Sequence, residues 1–191
     1  VVLLDNTIDT TKYSTVTIDD QDVGRDAAAY LLDRGHTRII GVFGDQRQRI
    51  SAMRLRGFKQ AHTERGIKIA ESQIVRMTAA EPLEQTLGRA FDAHPDATAV
   101  FTMTDELLMR SHYVLMSRGR KVPDEVSLLA ISDGLAPALL FPNVTHFRHS
   151  GMEVGERTAH ILIGLIAHRS DAMMDVRIRT TLVENGTVRQ L

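Results

Sequence analysis

The chain has 191 residues, 43% of them hydrophobic and 25% charged, with a formal net charge of -1 and no cysteine. That is enough for one large domain or two small ones with a real core, and the missing thiols exclude a disulfide framework and any thiolate metal site. Near-neutral charge argues against holding nucleic acid through a broad basic surface, and no apolar run approaches the roughly 20 residues of a membrane helix. The first element, Val1-Val2-Leu3-Leu4-Asp5, is a continuous apolar run closed by Asp, the pattern of a parallel strand covered on both faces. It carries neither an initiator Met nor a charged leader, so it reads as a strand entered in mid-fold, with sequence missing upstream.

Over 20–34 the apolar positions Val23, Ala27, Ala28, Tyr30, Leu31 and Leu32 fall on a helical stripe, which Gly35 stops. A short apolar strand follows at 38–44, then a helix over 48–65 with Met53, Phe58 and Ala61 inward and Gly66 beyond its end. Strand signals recur at 74–77, 97–103 and 126–131, and helical ones at 82–93 and at 105–118, the latter stopped by Gly119. This alternation predicts an α/β fold built on a doubly wound parallel sheet. Past Gly134 the rhythm changes: Pro137 and Pro142 interrupt the chain before an extended stretch at 144–149, a long helix over 152–168 and a final strand over 176–183. No internal repeat, low-complexity tract or Gly/Ser linker is visible. A lone strand at one end and a lone long helix near the other cannot close a core by themselves. The expected organisation is one whole lobe plus fragments of a second, joined by several crossing segments.

Several segments, taken in order, carry a resemblance. They are Val2-Leu3-Leu4-Asp5, the run from Ala27 through Gly35-His36-Thr37-Arg38-Ile39, and Arg54-Leu55-Arg56-Gly57-Phe58. Ala99-Val100-Phe101-Thr102-Met103-Thr104-Asp105, Val122-Pro123-Asp124-Glu125-Val126-Ser127 and Met152-Glu153-Val154-Gly155 complete the set. Together they resemble the effector-binding region of the lactose/galactose repressor family over nearly the whole chain. The resemblance implies a periplasmic-binding-protein-like fold with doubly wound parallel sheets in two lobes, three crossovers and a small-molecule cleft, the N-terminal lobe being incomplete here. It assigns 1–17 to a remnant of the N-terminal lobe, 18–147 to the C-terminal effector-binding lobe, 148–176 to a return segment, and 177–191 to the final crossover and strand. It also implies a helix-turn-helix domain, a hinge helix and the first βα units upstream, all absent from this sequence.

The same resemblance selects six ligand-binding candidates. Asp5 ends a strand, where ligands of open α/β sheets sit, although Asp5-Asn6-Thr7 is equally good turn chemistry. Arg54 matches a position whose planar fork of donors meets the effector, against the ordinary expectation that a helical arginine is solvated. Thr104 and Asp105 stand where one of the two must cap the next helix; Thr104 is assigned to the cleft and Asp105 to structure. Ser132 replaces an acidic residue of the pattern, which weakens any bidentate grip on vicinal hydroxyls. His149 lies on a crossing segment, where a histidine is as readily a structural hydrogen-bonder. Met77 occupies an apolar or aromatic position that covers the ligand or fills the core.

Eight histidines raise a metal hypothesis, but no His-Glu-x-x-His helix occurs, and neither a nucleophile elbow, a phosphate-binding glycine loop nor a dinucleotide fingerprint is present. The expectation is therefore a non-enzymatic protein without metal or cofactor. Its role is expected to be the effector-binding and dimerisation portion of a cytoplasmic transcription regulator. The expected partners are a sugar, nucleoside or related metabolite, a second copy of the chain, and operator DNA reached through the absent N-terminal domain, with no membrane. Leu107, Leu108, Val114, Leu115 and Met116 are too many apolar residues for one helix face, which points to a partner subunit or to burial on two sides. The alternatives are a periplasmic solute-binding protein of the same fold, separable by its upstream sequence, and a dimerisation module that has lost its effector.

Overall fold

A computed structural model describes residues 1–4, 12–167 and 173–191. Two sheets organise them. The larger has six strands: β3 (Ile39–Phe43), β4 (Ile74–Arg76), β5 (Ala99–Thr102), β6 (Ser127–Ser132), β7 (Thr145–Arg148) and β9 (Thr181–Val183), in the order β4-β3-β5-β6-β7-β9. All pairs in it are parallel except β7 with β9. The smaller sheet is parallel, with β1 (Val2–Leu4), β2 (Ser14–Ile18) and β8 (Asp175–Ile178) in the order β1-β2-β8.

Helices α1 (Asp20–Asp33) and α2 (Arg49–Glu64) form one layer on the large sheet; α3 (Leu83–Ala93) and α4 (Asp105–Ser117) form the other. A short α5 (Ala136–Leu139) follows β6, and α6 (Gly151–Ile166) covers the small sheet. The doubly wound parallel architecture expected from the alternating pattern is thus present. Gly35, Gly66 and Gly119 stand just beyond α1, α2 and α4 with positive φ, as their sequence positions predict.

Strands β3, β5 and β6 are buried at every position, because helices cover both faces. At the centre, Phe43, Phe58 and Phe101 are fully buried, with ring centroids 5.4–5.7 Å apart. Helices α1 and α2 touch backbone to backbone. A Cβ on Gly57 would lie 1.9 Å from the Gln21 carbonyl oxygen, and one on Gly24 would lie 2.2 Å from that of Arg54. Glycine within a helix costs about 1 kcal/mol of propensity, and here it permits an approach no other residue allows. The buried positions of α2 are accordingly Ser51, Arg54, Leu55, Gly57, Phe58, Ala61 and His62, while Met53, expected inward, is only half-buried.

Three details depart from the sequence pattern. The strand β2 is not announced by Ser14-Thr15-Val16-Thr17-Ile18, yet all five residues are buried between β1 and β8. The Thr15 hydroxyl is satisfied by donating to Asp175 Oδ1 at 2.6 Å. Ile18, expected to open the larger lobe, therefore closes a strand of the smaller sheet. The single strand expected over 176–183 is divided at residues 179–180: β8 pairs with β2, and β9 crosses to pair with β7. Among the described residues the chain passes between the sheets three times, at β2 to α1, β7 to α6 and β8 to β9.

The segment after β9 is tied back across the large sheet. Thr187 Oγ1 donates to Leu128 O at 2.7 Å and accepts from Thr145 N at 2.9 Å. His36, fully buried, bridges Thr98 Oγ1 and Arg189 O, each at 3.0 Å. Burial pushes the His36 imidazole below its ordinary pKa, and burial does the same to His62. Both rings are therefore held neutral when folded but charge at about pH 6.5 when unfolded. Their stabilisation is complete above that pH and is lost as pH falls from it towards the folded values. The urea midpoint is expected to be level from pH 8 to 7 and to decline from about pH 6.5 downward. A midpoint unchanged down to pH 5 would contradict the burial of these two rings as neutral groups.

Candidate functional site

The carboxyl ends of parallel strands gather the polar residues that regular pairing leaves over. At the end of β5 the chain continues through Met103 to Thr104, whose side chain accepts from Leu107 N at 3.3 Å and caps α4. The helix begins at Asp105, so Thr104 and not Asp105 is the cap. The Asp105 carboxylate instead presses on Gly134, where a Cβ would lie 2.2 Å from its Oδ2.

On the adjacent strand, Ser132 is 2% exposed and ends β6. Its Oγ accepts from Gly134 N at 3.2 Å, which shapes the turn, and its carbonyl accepts from His149 N at 3.2 Å. The His149 ring lies just past β7, with Nδ1 3.9 Å from Asp133 Oδ2. It lines a cavity of about 220 Å³ between the two sheets, shared with Leu4, Thr17, Ile18, Asp133 and Val154.

Arg54 reaches the same strand ends from beneath. The side chain is 5% exposed, its Nε donates to Asp20 Oδ1 at 2.9 Å and its Nη1 donates to Met103 O at 2.5 Å. It is therefore not the solvated helical arginine that composition alone favours. Asp20 is the first residue of α1, directly beyond the first crossover, and no sequence signal marked it as more than a helix start. A polar cavity of about 390 Å³ adjoins this crossover, lined by Asp19, Asp20, Asp22, Arg49, Met53 and Arg177 among others. Arg177 Nη1 stands 3.5 Å from Asp19 Oδ2, so an ion pair links the first and third crossovers.

Four of the six candidates, Arg54, Thr104, Ser132 and His149, thus lie at or beside the ends of β5, β6 and β7, and of these four His149 lines the 220 Å³ cavity. Met77 does not join them. It follows β4, packs against the core, and lines a neighbouring opening of about 590 Å³ with Asp45, Gln48, Thr78, Pro82 and Arg110. Asp5 lies outside the described residues, although Leu4 beside it borders the inter-sheet cavity. Among the described residues no cluster of His, Asp or Glu could hold a metal ion, and no helix is long and apolar enough to cross a membrane.

The model of the periplasmic binding protein-like domain matches residues 13–188. The chain belongs to this family. Within the periplasmic-binding-protein-like family its relatives are regulators of the lactose/galactose repressor type, as the ordered segments led one to expect. It is 33% identical over 165 residues to an arabinose metabolism transcriptional repressor of Halalkalibacterium halodurans, covering 83% of this chain and 43% of that protein. It is 30% identical over 185 residues to a repressor of the same description from Geobacillus stearothermophilus, covering 92% of this chain and 50% of that one. The chain therefore spans about half the length of the curated relatives it matches. A solved structure described as a complex of the transcriptional regulator CelR with cellobiose superposes with a TM-score of 0.88 at 23% identity. That superposition covers 97% of this chain and 58% of the other, and it supports the fold.

Proposed function

We propose that this chain is the effector-binding portion of a transcription regulator, holding a small metabolite where its two lobes meet. The supporting observation is that all three crossovers run between the sheets, two of them bordering the 220 Å³ cavity at Thr17, Ile18, His149 and Gly151. A ligand held there touches groups on both sides of the crossovers, so it has different contacts in different lobe orientations. That difference in affinity is what shifts the orientation, and a dimer transmits it to DNA-reading heads upstream.

In this reading Arg54, Thr104, Ser132 and His149 present hydrogen-bonding groups and Asp5 is kept as a candidate from its place in the sequence, while Met77, in the neighbouring opening, is not among the contacts. The lobes divide at the crossovers. The partner subunit meets the exposed Met109, Tyr113 and Met116 of α4 together with Leu135, Leu139 and Phe141 around α5. Leu107, Leu108, Val114 and Leu115 are buried within the protomer and contribute nothing to that face.

Calorimetric titration with L-arabinose, D-ribose, cellobiose and hypoxanthine tests the reading. At least one is expected to bind, and His149→Ala is expected to weaken it about tenfold, the equivalent of one good hydrogen bond. Binding unaffected by His149→Ala would move the site away from the crossovers.

A further inference from the structure

Taking Arg54 as an effector contact, as proposed above, we propose that Asp20 determines what that contact accepts. By neutralising the guanidinium inside the protein, it restricts the floor of the cleft to uncharged ligand groups. The pair is almost wholly buried, with the two side chains 5% and 4% exposed, and is joined at 2.9 Å. Nε and Nη1 of Arg54 are engaged by Asp20 and by the Met103 carbonyl, and we take Nη2, which neither bond uses, as the nitrogen offered to the ligand.

A neutral carbonyl, ether, ring nitrogen or hydroxyl can accept from that nitrogen. A carboxylate or phosphate would instead bring a second negative charge to a guanidinium already matched by one, in a site where charges are weakly screened. The groups around the floor add to the exclusion. Thr104 and Ser132 offer only hydroxyls, Asp105 presses on Gly134, and Asp133 faces His149 at 3.9 Å. The cations Arg49 and Arg177 lie in the adjoining cavity, among Asp19, Asp20 and Asp22. Asp20 acts through Arg54 and is a positioning residue, fixing both the direction and the net charge of the fork.

Inorganic phosphate is the probe. Thermal melting of the wild type, Asp20→Asn and the double variant Asp20→Asn with Arg54→Gln is followed in rising phosphate, with chloride adjusted to hold ionic strength constant. Asp20→Asn is expected to bind phosphate about tenfold or more tightly than the wild type, as release of one charge at contact distance requires. The double variant is expected to lose that gain. A merely structural Asp20 would lower the melting temperature of its variant without creating a phosphate response.

Equal phosphate binding by the wild type and Asp20→Asn, or a gain that survives in the double variant, overturns the proposal. Should Asp20→Asn fail to fold, the wild type decides alone: saturable stabilisation by phosphate refutes the proposal, and none supports it. Failure of the wild type to bind any sugar or nucleobase counts against the effector reading instead, and leaves the phosphate result to stand on its own.

Discussion

Arg54→Ala is expected to lower folding stability by about 3–5 kcal/mol, the usual cost of removing one member of a buried ion pair. Two losses combine. The carboxylate of Asp20, 4% exposed, is left without its guanidinium, and the Met103 carbonyl loses a donor at the end of β5. Because the attraction within the pair is offset by the cost of burying it, removing both charges is expected to cost less than the two single changes added together. The double variant Asp20→Leu with Arg54→Met keeps volume while discarding both charges. Urea denaturation of the four proteins should show a coupling of at least about 1 kcal/mol between the sites, and simple additivity would show that the two charges do not sense one another. This measurement concerns stability alone and stands apart from ligand binding.

Phe58→Ala is expected to cost a similar amount, about 3–5 kcal/mol, for a different reason. The ring is fully buried, stacks on Phe101 at an interplanar angle of 13°, and meets Phe43 at 71°. Truncation removes apolar contact on several sides and leaves a cavity that the strands cannot fill, since they are fixed by their pairing in the centre of the sheet. Aromatic pairing adds about 0.5–1.5 kcal/mol per pair to the transfer cost. Phe58→Leu, which keeps most of the volume, is expected to lose clearly less. For a chain of this size the alanine variant should melt roughly 10 °C lower. Equal losses in the two variants would mean that the cluster relaxes around a missing ring.

The large sheet was legible because β3, β5 and β6 are short, mainly apolar runs, and such runs have few alternatives once glycine and helical stripes bound them. The small sheet was less so. β2 reads as polar, with Ser14, Thr15 and Thr17 among its five residues, and becomes a buried strand only because Asp175 and the neighbouring strands satisfy those groups. Its partner β8 runs towards β9 with no glycine or proline between them, so nothing local marks the point at which the chain changes sheets.

The site shows the same division. Arg54, Thr104, Ser132 and His149 could be placed by the segments in which they sit, since each follows or underlies a strand end. What Arg54 does there could not. Its partner Asp20 is distant in sequence, and only the close approach of α1 and α2 at Gly24 and Gly57 brings the carboxylate to it. The apolar surplus of α4 was likewise explained by tertiary packing: four of its five residues face the sheet and its neighbours, and the exposed face is carried by Met109, Tyr113 and Met116.

The route of the chain to β9 also bears on the order of synthesis. When residues up to β7 have left the ribosome, every strand of the large sheet but one is available, and the outer edge of β7 is open. The chain then builds α6 and β8 for the other sheet before 181–183 return to close that edge. During this interval β7 presents unpaired backbone groups of the kind that recruit a foreign strand. The closing contacts of Thr187 with Leu128 and of Arg189 with His36 come later still. Nascent chains halted between β7 and β9 are therefore the population most exposed to aggregation, and a helper that shields a strand edge has its greatest use there.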